Sequence, residues 1–146
     1  MAKGTPSIVV ACDGSDHSLH AAKMAAELAK STGQPLKLLA VFPGTKVERL
    51  VVSGVWPSDI EEEAKSYGRK IFDAARQAVS GTADPAEEVL LKGDPAKEII
   101  EYLENNPGAH LFMGRRGHSL VRSLTLGSIS EKVVRHATGP VTVVSE

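Results

Sequence analysis

Short apolar runs alternate along this chain with longer segments in which apolar residues recur three or four positions apart. Continuous apolar runs of about four to eight residues are typical of strands buried on both faces of a sheet, and the longer spacing is typical of amphipathic helices. Strands are predicted at residues 7–12, 36–42, 87–92, 109–113 and 140–145. Helices are predicted at residues 16–31, 58–80, 95–105 and 128–138. The order βαβαβαβαβ predicts a single α/β domain with a parallel sheet and helices on both faces.

The connections predict the order of the strands within the sheet. Parallel neighbours need right-handed crossovers, which favours a doubly wound five-stranded sheet in the order 3-2-1-4-5. The third strand, EEVLLK, is more polar than the others, as suits an edge strand. Strand order then reverses between strands one and four, and ligands bind at the carboxyl ends of the strands that flank such a reversal. Those ends carry Asp13 and Gly114, so a ligand site is predicted there.

Two of the connections carry local signals of their own. Residues 43–57, PGTKVERLVVSGVWP, are too long for an ordinary connection and are predicted to be irregular. The third helix has a clear start, because Asp94 can accept hydrogen bonds from free amides and Pro95 stands where a missing N–H is harmless.

The segment MGRRGHSLVRSLTLGSISEKVV, residues 113–134, places glycines at three points around the predicted site. Gly114 and Gly117 predict a turn with inward-pointing amides that a ligand could approach closely. Gly127 and Ser128 stand at a predicted helix start, where free N–H groups and the helix dipole favour an anion. The Ser128 hydroxyl could bind a phosphate oxygen or cap the helix.

The charge of this segment is positive, although the chain as a whole is not. No acidic residue occurs between Glu104 and Glu131, whereas Arg115, Arg116 and Arg122 all fall in that interval. A polyphosphate would fit both the glycines and the charge. The alternative interpretation is a long surface loop that ends in a helix cap.

Asp13 supports two compatible interpretations. In the first, it lies across the predicted site and accepts a hydrogen bond from a ribose hydroxyl or binds a metal ion on the phosphates. In the second, Asp13, Gly14 and Ser15 form a turn that caps the first helix. Two common nucleotide motifs are absent, because Gly117 is followed by His118 rather than by the lysine of a Walker A loop, and no G-x-G-x-x-G follows the first strand.

Composition narrows the possible partners and location. With 146 residues and a formal net charge of −1, the chain gives no sign of binding nucleic acid or a membrane surface. Its apolar runs are too short to span a bilayer, and the N-terminus lacks the apolar core of a secretion signal. The single cysteine, Cys12, suits a reducing compartment. A soluble, cytoplasmic protein is therefore expected.

The spacing Gly114, Gly117, Gly127-Ser128 fits G-x₂-G-x₉-G-[ST] and resembles the nucleotide-binding signature of the universal stress protein family, in its ATP-binding branch. The segments IVVACDGSDHS, GDPAKEII and GSISEKVVRHATGPVTVV resemble other parts of that family, so the resemblance covers nearly the whole chain. It implies one nucleotide-binding domain over residues 1–146 with an adenine nucleotide alpha-hydrolase-like fold.

The resemblance also implies a ligand, a set of site residues and a dimer. The ligand is ATP, with Mg²⁺ left open; Asp13 faces the ribose and the Val41 backbone faces the adenine. The full set of implied binding residues is Ala11, Asp13, Val41, Met113, Gly114, Arg116, Gly117, Gly127, Ser128 and Ile129. Members of the family usually form homodimers through the last strand, here Val141, Thr142, Val143 and Val144.

The chain departs from the family pattern in one place, and one segment is poorly constrained by it. The residue after Gly114 is often small in the family and is Arg115 here, which could contact phosphate or obstruct the loop. Residues 43–57, with Trp56, could form a lid over the adenine, a partner surface or a plain connection.

No catalytic group stands out. His118 is expected to be solvated, the pair His17 and His20 lacks an identifiable third metal ligand, and Cys12 is expected to pack within its strand. An ATP-binding regulatory or stress-response module with at most slow hydrolysis is therefore favoured. The alternatives are an enzyme acting on adenine nucleotides, such as a slow hydrolase or nucleotidyl transferase, and a flavin-binding electron carrier.

Overall fold

A computed structural model describes residues 4–115 and 126–145. Its strands are β1 (Ser7–Ala11), β2 (Leu36–Pro43), β3 (Glu87–Gly93), β4 (Ala109–Gly114) and β5 (Val141–Val144). Its helices are α1 (Asp16–Thr32), α2 (Gly44–Val52), α3 (Pro57–Val79), α4 (Pro95–Asn105) and α5 (Ser128–His136). All neighbouring strands are parallel, and their order is β3-β2-β1-β4-β5. The predicted sheet, its strand order and its polar edge strand are confirmed.

The two faces of the sheet carry different helices. One face packs on α1 and α3 through residues such as Val10, Leu38 and Phe72. The other face packs on α4 and α5 through residues such as Val9, Leu111 and Ile99. Because β1 has fully buried side chains on both faces, it reads as the continuous apolar run that its sequence shows.

Local capping explains where two of these helices begin. The Ser15 side chain accepts a hydrogen bond from Ser18 N at the start of α1. The Asp94 carboxylate accepts one from Lys97 N at 3.0 Å, with Pro95 as the first residue of α4, as predicted.

The prediction that residues 43–57 are irregular is wrong. Nine of these residues form α2, which buries none of its side chains. Its apolar residues Val47, Leu50 and Val51 have helical spacing, but the Pro43-Gly44 and Ser53-Gly54 pairs on either side favoured a loop. Gly54, with φ +80°, ends the turn that leads to α3.

No helix within residues 4–115 and 126–145 is both long enough and apolar enough to cross a membrane.

Candidate functional site

A cavity of about 320 Å³ lies at the carboxyl ends of β1, β2 and β4, beside the first turns of α4 and α5. This is the point where the strand order reverses, and there the loops diverge and leave a crevice. Eight of the ten predicted site residues line it: Ala11, Asp13, Val41, Met113, Gly114, Gly127, Ser128 and Ile129. Arg116 and Gly117, together with His118 and Arg122, lie outside the described residues.

One side of the cavity is apolar. Leu39, Val41, Ile99 and Met113 line it, and each is at most 8% exposed. Leu39 and Val41 come from β2, Met113 comes from β4, and Ile99 comes from α4 on the same face of the sheet. These side chains form a buried apolar surface against which a flat, weakly polar ring system could pack.

Asp13 forms the turn at the start of α1, which is one of the two arrangements predicted for it. Its Oδ1 accepts hydrogen bonds from Ser15 N at 2.9 Å and from the Ser15 hydroxyl. Gly14, with φ +82°, permits the tight turn. Asp13 is half-buried and also lines the cavity, so its place in the turn holds the carboxyl group at the cavity wall.

Two hydrogen bonds join the end of β4 to the start of α5. The Ser130 hydroxyl donates to Gly114 O at 2.8 Å, and Gly127 N donates to Arg115 O at 3.0 Å. These two bonds hold the first turn of α5 beside the cavity. They connect the described residues that precede position 116 with those that follow position 125. Ser130 is 4% exposed, and no local signal in the sequence points to it, because only the fold brings it to β4.

The suggestion that Ser128 caps α5 is wrong. Gly127 is the N-cap residue, no side chain makes a capping hydrogen bond there, and Ser128 is the first helical residue. The first N–H groups of an α-helix lack partners within the helix, so this end of α5 presents donors and the positive end of the dipole to the cavity.

Gly114 has a structural role that differs from the predicted one. It is the last residue of β4 and does not have a positive φ. A Cβ atom at this position would lie 2.7 Å from the Cβ of His17 and 2.9 Å from Ser18 N. The glycine is therefore required by the close approach of α1 to the end of β4. Gly127 likewise has ordinary extended angles, with φ −63° and ψ 158°, so neither glycine is needed for backbone freedom.

Tyr67 and Cys12 complete the wall beside Asp13. Tyr67 extends from α3, and its ring packs edge-to-face on Phe42 with centroids 5.3 Å apart. Burial, and secondly the charge of Asp13, raise the pKa of Tyr67. Burial raises the pKa of Cys12 to about 12, so its thiol stays protonated near neutral pH, and it donates to Val10 O at 3.5 Å.

Arg115 contributes backbone hydrogen bonds to the structure around the site. Its N–H donates to Val144 O at 2.8 Å, which extends the pairing of β4 with β5. Arg115 is not among the residues that line the cavity. Within the part of the chain that the structure describes, no group of three His, Cys, Asp or Glu side chains could hold a metal ion.

Comparison with known proteins agrees with this architecture. The model of the universal stress protein family matches residues 5–145. Universal stress protein YxiE of Bacillus subtilis is 32% identical over 143 residues, which cover 94% of this chain and 97% of that protein.

Solved structures share the fold. Universal stress protein UspA from Lactobacillus plantarum superposes with a TM-score of 0.76 at 22% identity over 99% of each chain. A universal stress protein in complex with cAMP gives 0.65 at 24% identity over 98% of each chain. The universal stress protein from Archaeoglobus fulgidus in complex with dAMP gives 0.64 at 24% identity, covering 95% of this chain and 97% of that one. This chain belongs to the universal stress protein family.

Proposed function

We propose that residues 1–146 form an ATP-binding domain that acts as a homodimeric regulatory module in the stress response, with at most slow ATP hydrolysis. One observation carries the proposal: eight of the binding residues that the family resemblance implies, five from the glycine-rich segment and three from the ends of the first two strands, line a single cavity at the reversal of strand order. The similar structures in complex with cAMP and dAMP support an adenine nucleotide, because both ligands carry adenine, ribose or deoxyribose, and phosphate.

The cavity suits the nucleoside half of ATP. The apolar side formed by Leu39, Val41, Ile99 and Met113 would hold the adenine ring. Asp13, whose carboxyl group stays at the wall through its turn, would accept a hydrogen bond from a ribose hydroxyl. A volume of about 320 Å³ is at the lower end of the range for small-molecule sites, so it suits the nucleoside better than the entire nucleotide.

The phosphates would lie at the first turn of α5. Gly127, Ser128 and Ile129 line the cavity there, and the helix start presents backbone N–H donors to an anion. Arg116 and Gly117 are proposed as further phosphate contacts on the strength of the family resemblance. If Mg²⁺ accompanies ATP, Asp13 would help to hold it, because Asp13 is the carboxylate among the described residues that line this cavity.

The first experiment is to denature freshly purified protein and to measure any released nucleotide by chromatography and mass spectrometry. Near-stoichiometric intact ATP is expected from a module that binds ATP tightly, so that it is retained, and that hydrolyses it slowly, so that it stays intact. The proposal is wrong if no nucleotide is released and added Mg-ATP does not bind at about millimolar concentration. Such an affinity would be too weak for a cellular ligand. ATP turnover that disappears in Asp13→Ala would instead favour a nucleotide-converting enzyme, and yellow protein would favour a flavin carrier.

Gly127→Val tests the placement of the phosphates. The backbone angles of Gly127 are open to valine, so the variant should fold normally while its branched side chain blocks the start of α5. ATP affinity should fall at least about 100-fold, which corresponds to about 2.7 kcal/mol. Lys132→Val, which adds the same side chain at an exposed position of α5 away from the cavity, should bind ATP normally. Equal ATP affinity in the two variants would contradict the placement.

The proposed dimer would form through the open edge of β5. Pro140 O and Val144 O accept hydrogen bonds from Leu111 N at 3.0 Å and Arg115 N at 2.8 Å, on the β4 side. Because backbone groups alternate in direction along a strand, the N–H groups of Val141 and Val143 face the other side, where a second copy could pair.

Val143→Pro tests this edge, because it removes an outward N–H without removing a hydrogen bond to β4. Sedimentation should show a dimer for the wild type and for Val143→Thr, and a monomer for Val143→Pro. A Val143→Pro protein that remains dimeric would place the interface elsewhere.

A further inference from the structure

A second cavity of about 680 Å³ lies between α2 and α3, and we name it the α2–α3 cavity. It adjoins the cavity of about 320 Å³ described above, which we name the nucleotide cavity, since Asp13, Pro43 and Tyr67 line both of them. The sequence gives no sign of this cavity, because it depends on α2 and residues 43–57 were predicted to be irregular.

The walls of the α2–α3 cavity carry more positive than negative charge. Lys46 and Arg49 on α2 and Lys70 on α3 line it, against the carboxylates of Asp13 and Glu63. Among residues 4–115 and 126–145, none of the three cations forms an ion pair, whereas other surface cations such as Arg76 and Lys92 do. Three cations without a direct carboxylate partner around one cavity favour an anionic occupant.

Lys46 lies close to the boundary between the two cavities. Its Nζ stands 4.5 Å from the centre of the Tyr67 ring, and Tyr67 lines both cavities. The cation–π contact keeps this ammonium group beside Tyr67, which both cavities share, so it is available to an anion that extends past Asp13.

We infer that the α2–α3 cavity binds a second phosphate attached to the ribose of the nucleotide, so that the preferred ligands are adenine nucleotides phosphorylated on the 2′- or 3′-hydroxyl. This inference rests on the proposed function, in which Asp13 faces the ribose. Since Asp13 lines both cavities, a substituent on a ribose hydroxyl is the part of the ligand that can extend from one cavity into the other. A phosphate placed there meets Lys46, Arg49 and Lys70.

Calorimetric titration with three related nucleotides tests the inference. AMP, adenosine 2′,5′-bisphosphate and adenosine 3′,5′-bisphosphate differ only in the phosphate on the ribose. At low ionic strength one of the bisphosphates should bind at least about tenfold more tightly than AMP. The gain should shrink as salt is added, because the three cations are exposed to solvent. The preferred isomer identifies the hydroxyl that faces the cavity, and equal or weaker binding of both bisphosphates overturns the inference.

A pair of matched double variants locates the second phosphate. Arg49→Gln with Lys70→Gln should remove most of the gain and leave AMP affinity unchanged, since neither residue lines the nucleotide cavity. Lys23→Gln with Lys65→Gln makes the same change of net charge at exposed positions outside both cavities and should keep the full gain. An equal loss of the gain in both double variants would mean that overall charge, and not this cavity, attracts the phosphate.

A titration with ATP, added to these three, separates this inference from the proposed function. If ATP and AMP bind and the bisphosphates bind no better than AMP, the inference fails and the proposed function stands. If none of the nucleotides binds, both fail.

Discussion

Gly114→Ala is expected to destabilise the protein through a clash between β4 and α1. The new Cβ would lie 2.7 Å from the Cβ of His17 and 2.9 Å from two backbone atoms, the carbonyl carbon of His17 and the nitrogen of Ser18. Nonbonded carbon atoms prefer separations of about 3.5–4.0 Å, so the helix and the strand end would have to separate by about 1 Å.

The helix has little freedom to make this movement. The side chains of Ala21, Ala22, Ala25 and Ala26 on α1 have no exposed surface, and they hold the helix against the sheet. The cost of overpacking should therefore lie in the upper part of its usual range, at about 2–3 kcal/mol. In a domain of this size, that cost lowers the midpoint of thermal unfolding by about 5–10 °C.

Thermal unfolding followed by circular dichroism measures this effect, with Gly44→Ala as the matched control. A Cβ on Gly44 would meet its nearest atom, Gly93 C, at 3.4 Å, which is an ordinary contact, and no positive φ is involved. The control should unfold within about 2 °C of the wild type, the effect of an unstrained surface change. If Gly114→Ala unfolds with the control but no longer binds ATP, the glycine serves the ligand rather than the packing of α1.

Two further predictions concern stability. Asp94→Ala removes the cap of α4 and should lower the free energy of unfolding by about 1 kcal/mol, or the melting temperature by about 2–4 °C. Asp84→Ala, at an exposed loop position, should change the melting temperature little. Equal melting temperatures of the two variants would refute the role of the cap. Burial lowers the pKa of His110, whose Nε2 lies 2.7 Å from the Thr142 hydroxyl, so the unfolded chain takes up the proton first as the pH falls. The stability that this neutral imidazole contributes is complete above the ordinary pKa of 6.5 and is lost below it. The wild type should therefore lose more melting temperature than His110→Gln between about pH 7.5 and about pH 5, and parallel pH profiles would contradict this.

The sequence predicted the elements whose signals are local. The apolar run of β1 and the Asp94-Pro95 start of α4 are each contained within a few neighbouring residues. The strand order also followed, because right-handed crossovers and the polar third strand leave few alternatives. The position of the cavity is a consequence of that order, so the sequence alone places Asp13 and Gly114 at its wall.

The tertiary structure decided what depends on contacts between distant parts of the chain. Gly114 is a glycine because β4 meets His17 on α1, and no pattern within the glycine motif contains that information. Ser130 joins the site because its hydroxyl reaches Gly114 O across sixteen positions of sequence. The α2–α3 cavity is formed where α2, which buries none of its side chains, lies beside α3 and Tyr67. Periodicity and capping are properties of one segment, whereas steric contact and the shape of a cavity are properties of how segments pack, and these appear only when the chain is folded.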